Sequence, residues 1–343
     1  MKALVLTAPK VFEYLDVDDP QPAENEVLVR VHACGICGSD VHGYDGSTGR
    51  RIPPIIMGHE AAGEITAIGS AVKNWQRGDR VTFDSTIFCN TCAYCLQGMV
   101  NLCENRRVLG VSCQEYRQNG AFAEYVAIPQ HILYRLPEGV SYEQACLVEP
   151  LSIAFHAARL TPVTINDTAV VVGAGMIGLL VIQTMKLAGC GKVIAVDIDD
   201  RKLELAQSIG ADHCINSKNT NAVDIIRNIT GGKGASLSLD AVGTNASLET
   251  AIACLKNGGH LTLIGNITPK VDLPLQSVVT RQLRIQGSCA SSGEYPACLD
   301  MIAAGRVNID FLISQVAPLN EGKQWFDTLY EGKSGLLKVI LKP

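Results

Sequence analysis

The alternation of apolar and polar positions divides the chain in two. Over the first 150 residues the pattern is short, strand-like and heavily punctuated. Residues 27–33, 63–68 and 80–83 are runs rich in β-branched side chains, with glycine and proline between them. Few stretches there sustain the 3.6-residue period of a long amphipathic helix, so this half predicts a β-rich, partly rolled-up domain. From about Thr168 the rhythm becomes strand, helix, strand, helix. Strands are expected at 169–172, 192–196, 213–216, 235–241, 260–264 and 283–286, with helical patterns such as 202–209 between most of them. Six strands in that alternation predict a doubly wound parallel sheet, an α/β fold. A helix near 295–304 and a final strand at 337–341 follow, without internal repeats, low-complexity linkers or coiled-coil heptads.

Composition narrows the class. At roughly 150 residues per domain, 343 residues suggest two domains. An apolar content of 47% with 18% charged residues excludes a disordered chain. The net charge is −5 with no basic block, so the chain carries no electrostatic footprint for nucleic acid or an anionic membrane. The first residues lack the charged region, long apolar run and cleavage site of a secretory leader. The longest apolar stretch, 169–182, contains three glycines and is shorter than the ~18 residues of a membrane span, so it reads as a buried strand entering a helix. A cytoplasmic, reducing compartment is expected. The 13 cysteines then read as thiols or metal ligands, not as a disulfide framework.

Candidate chemistry enters at Gly173-Ala174-Gly175-Met176-Ile177-Gly178, a G-x-G-x-x-G placed directly after an apolar strand and opening a helix. Gly173 permits the tight turn, Gly175 lets backbone approach a pyrophosphate, and Gly178 lets helix pack on strand. The glycines alone are as compatible with a plain β-α turn. Asp197 changes the balance. It ends the second strand 19 residues after Gly178, where a carboxylate accepts both ribose hydroxyls and repels a 2′-phosphate, favouring NAD over NADP. A helix N-cap is its competing reading. Arg201 and Lys202 nearby are ribose contacts or solvated first-turn residues.

Two metal constellations stand out. Cys89, Cys92, Cys95 and Cys103 form C-x2-C-x2-C-x7-C, a closed four-thiolate shell of structural type. The second set is dispersed: Cys37 in Cys-Gly-Ser-Asp, His59-Glu60 after Gly58, and Glu149 before Pro150. A thiolate, an imidazole and a carboxylate can leave one coordination position open, as catalytic zinc requires. Spacing alone does not separate this from a turn and buried thiols.

These landmarks occur together and in order, and the whole chain resembles the zinc-dependent medium-chain dehydrogenase/reductases. The likeness is strongest to the polyol branch with sorbitol, galactitol, butanediol and threonine dehydrogenases. The resemblance implies a GroES-like catalytic domain from 1–150 and 290–343, with a structural-zinc lobe at about 89–103, and a Rossmann NAD-binding domain at 151–289. It implies Cys37 and His59 as catalytic zinc ligands and Glu60 as the third, with Glu149 either ligating or holding the water on the metal and facing substrate. Ser39 and His42 match the proton-relay positions. Cofactor contacts are implied at Gly173, Gly175, Met176, Ile177, Gly178, Asp197, Lys202, Val242, Ile264 and Gly265. A homodimer or homotetramer is the expected assembly.

The chain also departs from the sorbitol dehydrogenases. Their Arg-Tyr pair after the last Rossmann strand is absent from 287–292, so a guanidinium that would orient a long polyol is missing. Tyr44 is a candidate substrate-pocket wall or hydroxyl donor, with core packing the alternative. Arg50-Arg51 could face an anionic substrate or belong to a solvated loop. Eight other cysteines, Cys113, Cys146 and Cys254 among them, read as small buried hydrophobes. The leading expectation is a zinc-dependent oxidoreductase moving a hydride from a polyol or other secondary alcohol to NAD. Threonine or a vicinal diol is the alternative substrate. A non-catalytic dinucleotide sensor is the alternative of another class, and a zinc-free quinone reductase would not need these ligands.

Overall fold

Strand β1 (Glu26–Gly35) buries Val27, Val29, Val31 and Ala33 on one face, and from Cys34 onward both faces are covered. That change marks where the strand leaves the rim of its sheet and enters the interior. The computed structural model describes residues 1–332 and 335–343. Two compact units make up the chain, one from 1–149 with 292–343 and the other from 150–291.

In the first unit, β1 is followed by a short helix α1 (Gly38–Gly43), then by β2 (Glu60–Ile68), β3 (Arg80–Phe83), β4 (Tyr125–Pro129) and β5 (Leu133–Arg135). Helix α2 (Val148–Leu160) starts at the end of this segment with Glu149 in its first turn, and from Pro150 on it belongs to the second unit. The N-terminal hairpin of Lys2–Ala8 and Val11–Asp16 packs Leu4, Leu6 and Phe12 into the same core as Ile65, Phe83, Phe122 and Phe326.

The second unit is one parallel sheet: β6 (Thr168–Val172), β7 (Lys192–Asp197), β8 (His213–Asn216), β9 (Ala235–Asp240), β10 (Leu255–Leu263) and β11 (Arg284–Gly287). Its spatial order is β8-β7-β6-β9-β10-β11. The order reverses between β6 and β9, the switch point at which open parallel sheets bind ligands. β6 and β7 are buried along almost their whole length because helices such as α3 (Met176–Leu187) and α4 (Asp200–Ser208) flank the sheet. β10 begins earlier than the apolar pattern suggests: Leu255 pairs with Ala235, the register shifts, and regular pairing resumes with His260 opposite Leu237. β11 is the sheet's edge and all four of its residues are exposed.

The chain then returns to the first unit as β12 (Ile313–Pro318), helix α5 (Gly322–Tyr330) and β13 (Lys338–Lys342). The sheet order there is β5-β3-β2-β1-β13-β12, with β4 also paired to β1. Gly35 is opposite Glu60 on one side and Ile340 on the other, so the ends of three strands meet at one point.

Candidate active site and metal centres

That meeting point carries the mixed donor set. Cys37 follows β1 as the N-cap of α1, and His59-Glu60 opens β2. Their ligand atoms all lie within 4.8 Å of one another. His59 and Glu60 are buried. Ser39 donates its hydroxyl to Cys37 Sγ at 3.3 Å, and His42 is on the same helix, one turn on and exposed.

A buried charge network supports this set. Asp40 is wholly enclosed and accepts from Arg51 Nη2 at 2.8 Å and Nε at 3.2 Å, both on Oδ1. Its other oxygen, Oδ2, lies 3.5 Å from His59 Nδ1. Burial alone would raise the Asp40 pKa, but His59 and Arg51 outweigh it and hold the carboxyl well below the usual range. Burial lowers the His59 pKa, yet the charges of Asp40 and Cys37 prevail and raise it. The same negative field favours a dication. With one ring nitrogen turned to Asp40, the other is left for coordination. Lys338, the first residue of β13, donates to Glu60 Oε2 at 2.5 Å and to the Ile36 carbonyl at 2.9 Å.

Glu149 does not join the converging atoms. It accepts from Ser85 Oγ at 3.0 Å. Burial raises its pKa to about 7, with Glu60 adding to the rise and His59 opposing it.

The four cysteines of the 89–103 segment also converge, with their ligand atoms within 4.8 Å. The Cys92 N–H donates to Cys89 Sγ at 3.4 Å and the Cys89 N–H to Cys103 Sγ at 3.3 Å. Hydrogen bonds from Thr91 draw the Cys89 thiol down to about 5, while burial and the neighbouring cysteines push Cys95 up to about 12. Four thiols so close cannot all ionise without a cation among them, and a tetrahedral zinc fits this donor set. The thiolate, imidazole and carboxylate of the other set fit a zinc with an open position. No disulfide is formed among the described residues.

In the second unit, Gly173 adopts φ +94°, and a Cβ on Gly178 would lie 1.8 Å from the Gly173 carbonyl oxygen. Gly175 is the N-cap of α3 and has open space where a side chain would be, the cradle that a pyrophosphate needs. Met176 and Ile177 begin that helix, half-buried. Asp197 ends β7 and accepts from the N–H groups of Ala174 at 2.6 Å, Ile198 at 2.7 Å and Asp199 at 3.0 Å. It is not the N-cap of α4; Asp199 is. Arg201 is exposed and pairs with Asp199, and Lys202 is half-buried beside it. Val242 and Gly265 pack backbone to backbone at the ends of β9 and β10. The main-chain carbonyl of Asp240 accepts from Ile264 and Gly265, and its side chain accepts from Val242 and Gly243.

Three expectations are corrected. Tyr44 lines no substrate pocket: it is fully buried, stacks on Phe12 at 5.4 Å, and donates to Asp327 at 2.8 Å. Arg51 is neither a solvated loop residue nor free for an anionic ligand, because Asp40 holds it in the interior. Cys289 is exposed and Cys113 and Cys214 are half-buried, so these are not core thiols. Sequence reasoning missed the roles of Asp40, Ser85, Asp240 and Lys338. A lysine inside the apolar run 336–341 was the available signal for the last.

Comparison with known proteins agrees with this architecture. Residues 23–138 match the alcohol dehydrogenase GroES-like domain and residues 177–304 the zinc-binding dehydrogenase model. The chain is 32% identical to a sorbitol dehydrogenase of Bacillus subtilis, over 100% of this chain and 97% of that one. Among solved structures, galactitol-1-phosphate dehydrogenase from Escherichia coli superposes with a TM-score of 0.92 at 27% identity, covering 100% of both chains. A zinc-binding dehydrogenase of Sinorhizobium meliloti bound to NADP superposes with a TM-score of 0.91 at 30% identity, covering 100% of this chain and 99% of that one. The chain belongs to the zinc-dependent medium-chain dehydrogenase/reductase family, in its polyol dehydrogenase branch. No helix among the described residues is long and apolar enough to cross a membrane.

Proposed function

We propose that this protein oxidises a secondary hydroxyl of a polyol to the ketone with NAD as hydride acceptor, using a catalytic zinc held by Cys37, His59 and Glu60 and a structural zinc held by Cys89, Cys92, Cys95 and Cys103. The convergence of the Cys37, His59 and Glu60 ligand atoms carries this reading. A zinc at the mixed set supplies Lewis acidity, which makes an alcohol proton easier to remove. The Ser39 hydroxyl accepts that proton and passes it towards exposed His42 and solvent. Asp40, clamped by Arg51, fixes the ring of His59 and supplies negative charge behind it. Glu149, poised near neutrality by burial, orients the hydroxyl being oxidised. NAD, when bound, would supply the two-electron acceptor that turns the secondary alcohol into the ketone, one proton being released.

Asp197 supports NAD as the nucleotide, since its carboxylate repels a 2′-phosphate. Gly173, Gly175, Met176, Ile177, Gly178, Lys202, Val242, Ile264 and Gly265 complete the proposed cofactor contacts. The exposed edge strand β11, with Leu275 and Val279 also exposed, supports pairing with a second copy. Cysteines that form no disulfide among the described residues suit a cytoplasmic, reducing setting.

The test is reduced-nicotinamide absorbance with zinc-replete protein, NAD or NADP, and a panel of hexitols, pentitols, their phosphates, inositols, vicinal diols and threonine. Turnover of a polyol with NAD, lost in Cys37→Ser, is expected. A response to threonine or a diol alone removes the polyol assignment, and full activity in Cys37→Ser removes the metal assignment.

A further inference from the structure

Lys338 is an ammonium with only 2% of its surface exposed, and it joins the two segments that carry the proposed metal ligands. One hydrogen bond, 2.9 Å, goes to the carbonyl of Ile36, the residue before Cys37. The other, 2.5 Å, goes to Oε2 of Glu60. The partners are 302 and 278 positions away in the chain, so the contact depends on β13 lying against β1. Gly35 makes the room: a Cβ there would come within 2.5 Å of Glu60 Oε2 and 3.2 Å of Lys338 Cδ.

Two consequences follow from elementary electrostatics. A carboxylate that gives one oxygen to a buried ammonium has only the other free for a metal. The fixed positive charge also offsets the charge that Glu60 adds to the Cys37 thiolate. Resting on the catalytic-zinc reading above, we propose that Lys338 is a positioning residue that restricts Glu60 to one-oxygen ligation and lowers the zinc affinity of the mixed site. The site is thereby kept from closing into a saturated, structural-type shell. Removing the ammonium leaves Glu60 buried without its counter-charge, and a dication is then the partner that can neutralise it.

The experiment compares the full-length protein with Lys338→Met, Lys338→Arg and Gly35→Ala. Zinc affinity of the mixed site is measured by chelator competition, with the four-thiolate site of the same molecule as internal reference. In parallel, cobalt is placed at the mixed site alone and its visible d–d spectrum recorded. Lys338→Met is expected to bind zinc at the mixed site at least tenfold more tightly, and its cobalt bands are expected to weaken as Glu60 adds a second oxygen. Lys338→Arg keeps the charge and the parent affinity. Gly35→Ala pushes Oε2 from the ammonium without removing either charge, and is expected to change the cobalt spectrum in the same sense. It also supplies the test should Lys338→Met not fold. Parent affinity and parent spectrum in folded Lys338→Met, or in Gly35→Ala if that is the variant available, overturn the proposal. If the parent protein itself takes no metal at the mixed site, the catalytic-zinc reading fails instead.

Discussion

Arg50 and Arg51 are adjacent in sequence and opposite in circumstance, which makes them a matched pair for measuring the buried network. Arg50 is exposed, whereas Arg51 lies 4% exposed with two nitrogens on Asp40 Oδ1 and a third on the Arg50 carbonyl. Methionine at position 51 retains most of the aliphatic stem that packs over Gly43, so the loss is chiefly electrostatic. What remains is a fully enclosed Asp40 carboxylate without its guanidinium partner. Breaking a buried pair from one side costs about 3–5 kcal/mol. The lower end of that range is expected, because the His59 imidazole is still beside Asp40 and can take a proton. Arg50→Met removes a solvated charge and should change stability by no more than about 0.5 kcal/mol. Urea unfolding of both variants, alone and with zinc, reads the difference. Adding Asp40→Asn to Arg51→Met removes the orphaned charge and should recover most of the lost stability without recovering turnover. A loss below about 1 kcal/mol in Arg51→Met, or no recovery in the double variant, would refute the reasoning.

Tyr44→Phe deletes a hydroxyl bonded to Asp327 and to the Lys10 carbonyl, so about 1 kcal/mol of stability should go while KM for the substrate stays unchanged; a KM effect would return Tyr44 to the substrate site. Burial acts to raise the Asp79 pKa, but the Arg135 guanidinium and the Gln76 N–H outweigh it and hold the folded-state value below the ordinary one. The unfolded chain then takes up the proton first as pH falls, so the stabilisation is full above about pH 5 and drains away through the ordinary carboxylate range near 3.9. The stability gap between the parent and Asp79→Asn should therefore narrow on acidification, and a gap that is constant from pH 7 to pH 3 would contradict this.

Local periodicity made the sheet legible. β8 coincides with its expected span, and β6, β7, β9 and β11 differ by a residue at one end or both; the inner strands β6, β7 and β9 read as apolar runs because both of their faces are covered. The ligand residues were legible too, since cysteines and a His-Glu pair stand out by type. What escaped notice was charge pairing across long separations. Asp40 and Arg51 look like turn residues until the fold encloses both. Lys338 finds Glu60 only after β13 has docked, and Tyr44 finds Asp327 across 283 positions. No spacing rule encodes such meetings, because they are consequences of topology. β10 escaped in part for a related reason: the register shift lets Lys256 to Gly259 interrupt an otherwise regular strand.

The return of the chain to its first unit has a consequence for biosynthesis. β1 leaves the ribosome early, yet the neighbour that seals Cys34 and Gly35 is β13, some 300 residues later. At about 5–20 residues per second, that interval is roughly 15–60 s of translation. Throughout it the growing polypeptide carries an open strand border beside a cysteine-rich segment, while the uninterrupted 150–291 segment has everything needed for its own sheet. The surroundings of the mixed donor set are therefore completed late in the synthesis of each molecule. A transcript cut short by even a dozen codons yields a product that still holds the nucleotide fold but lacks the lysine beside Glu60.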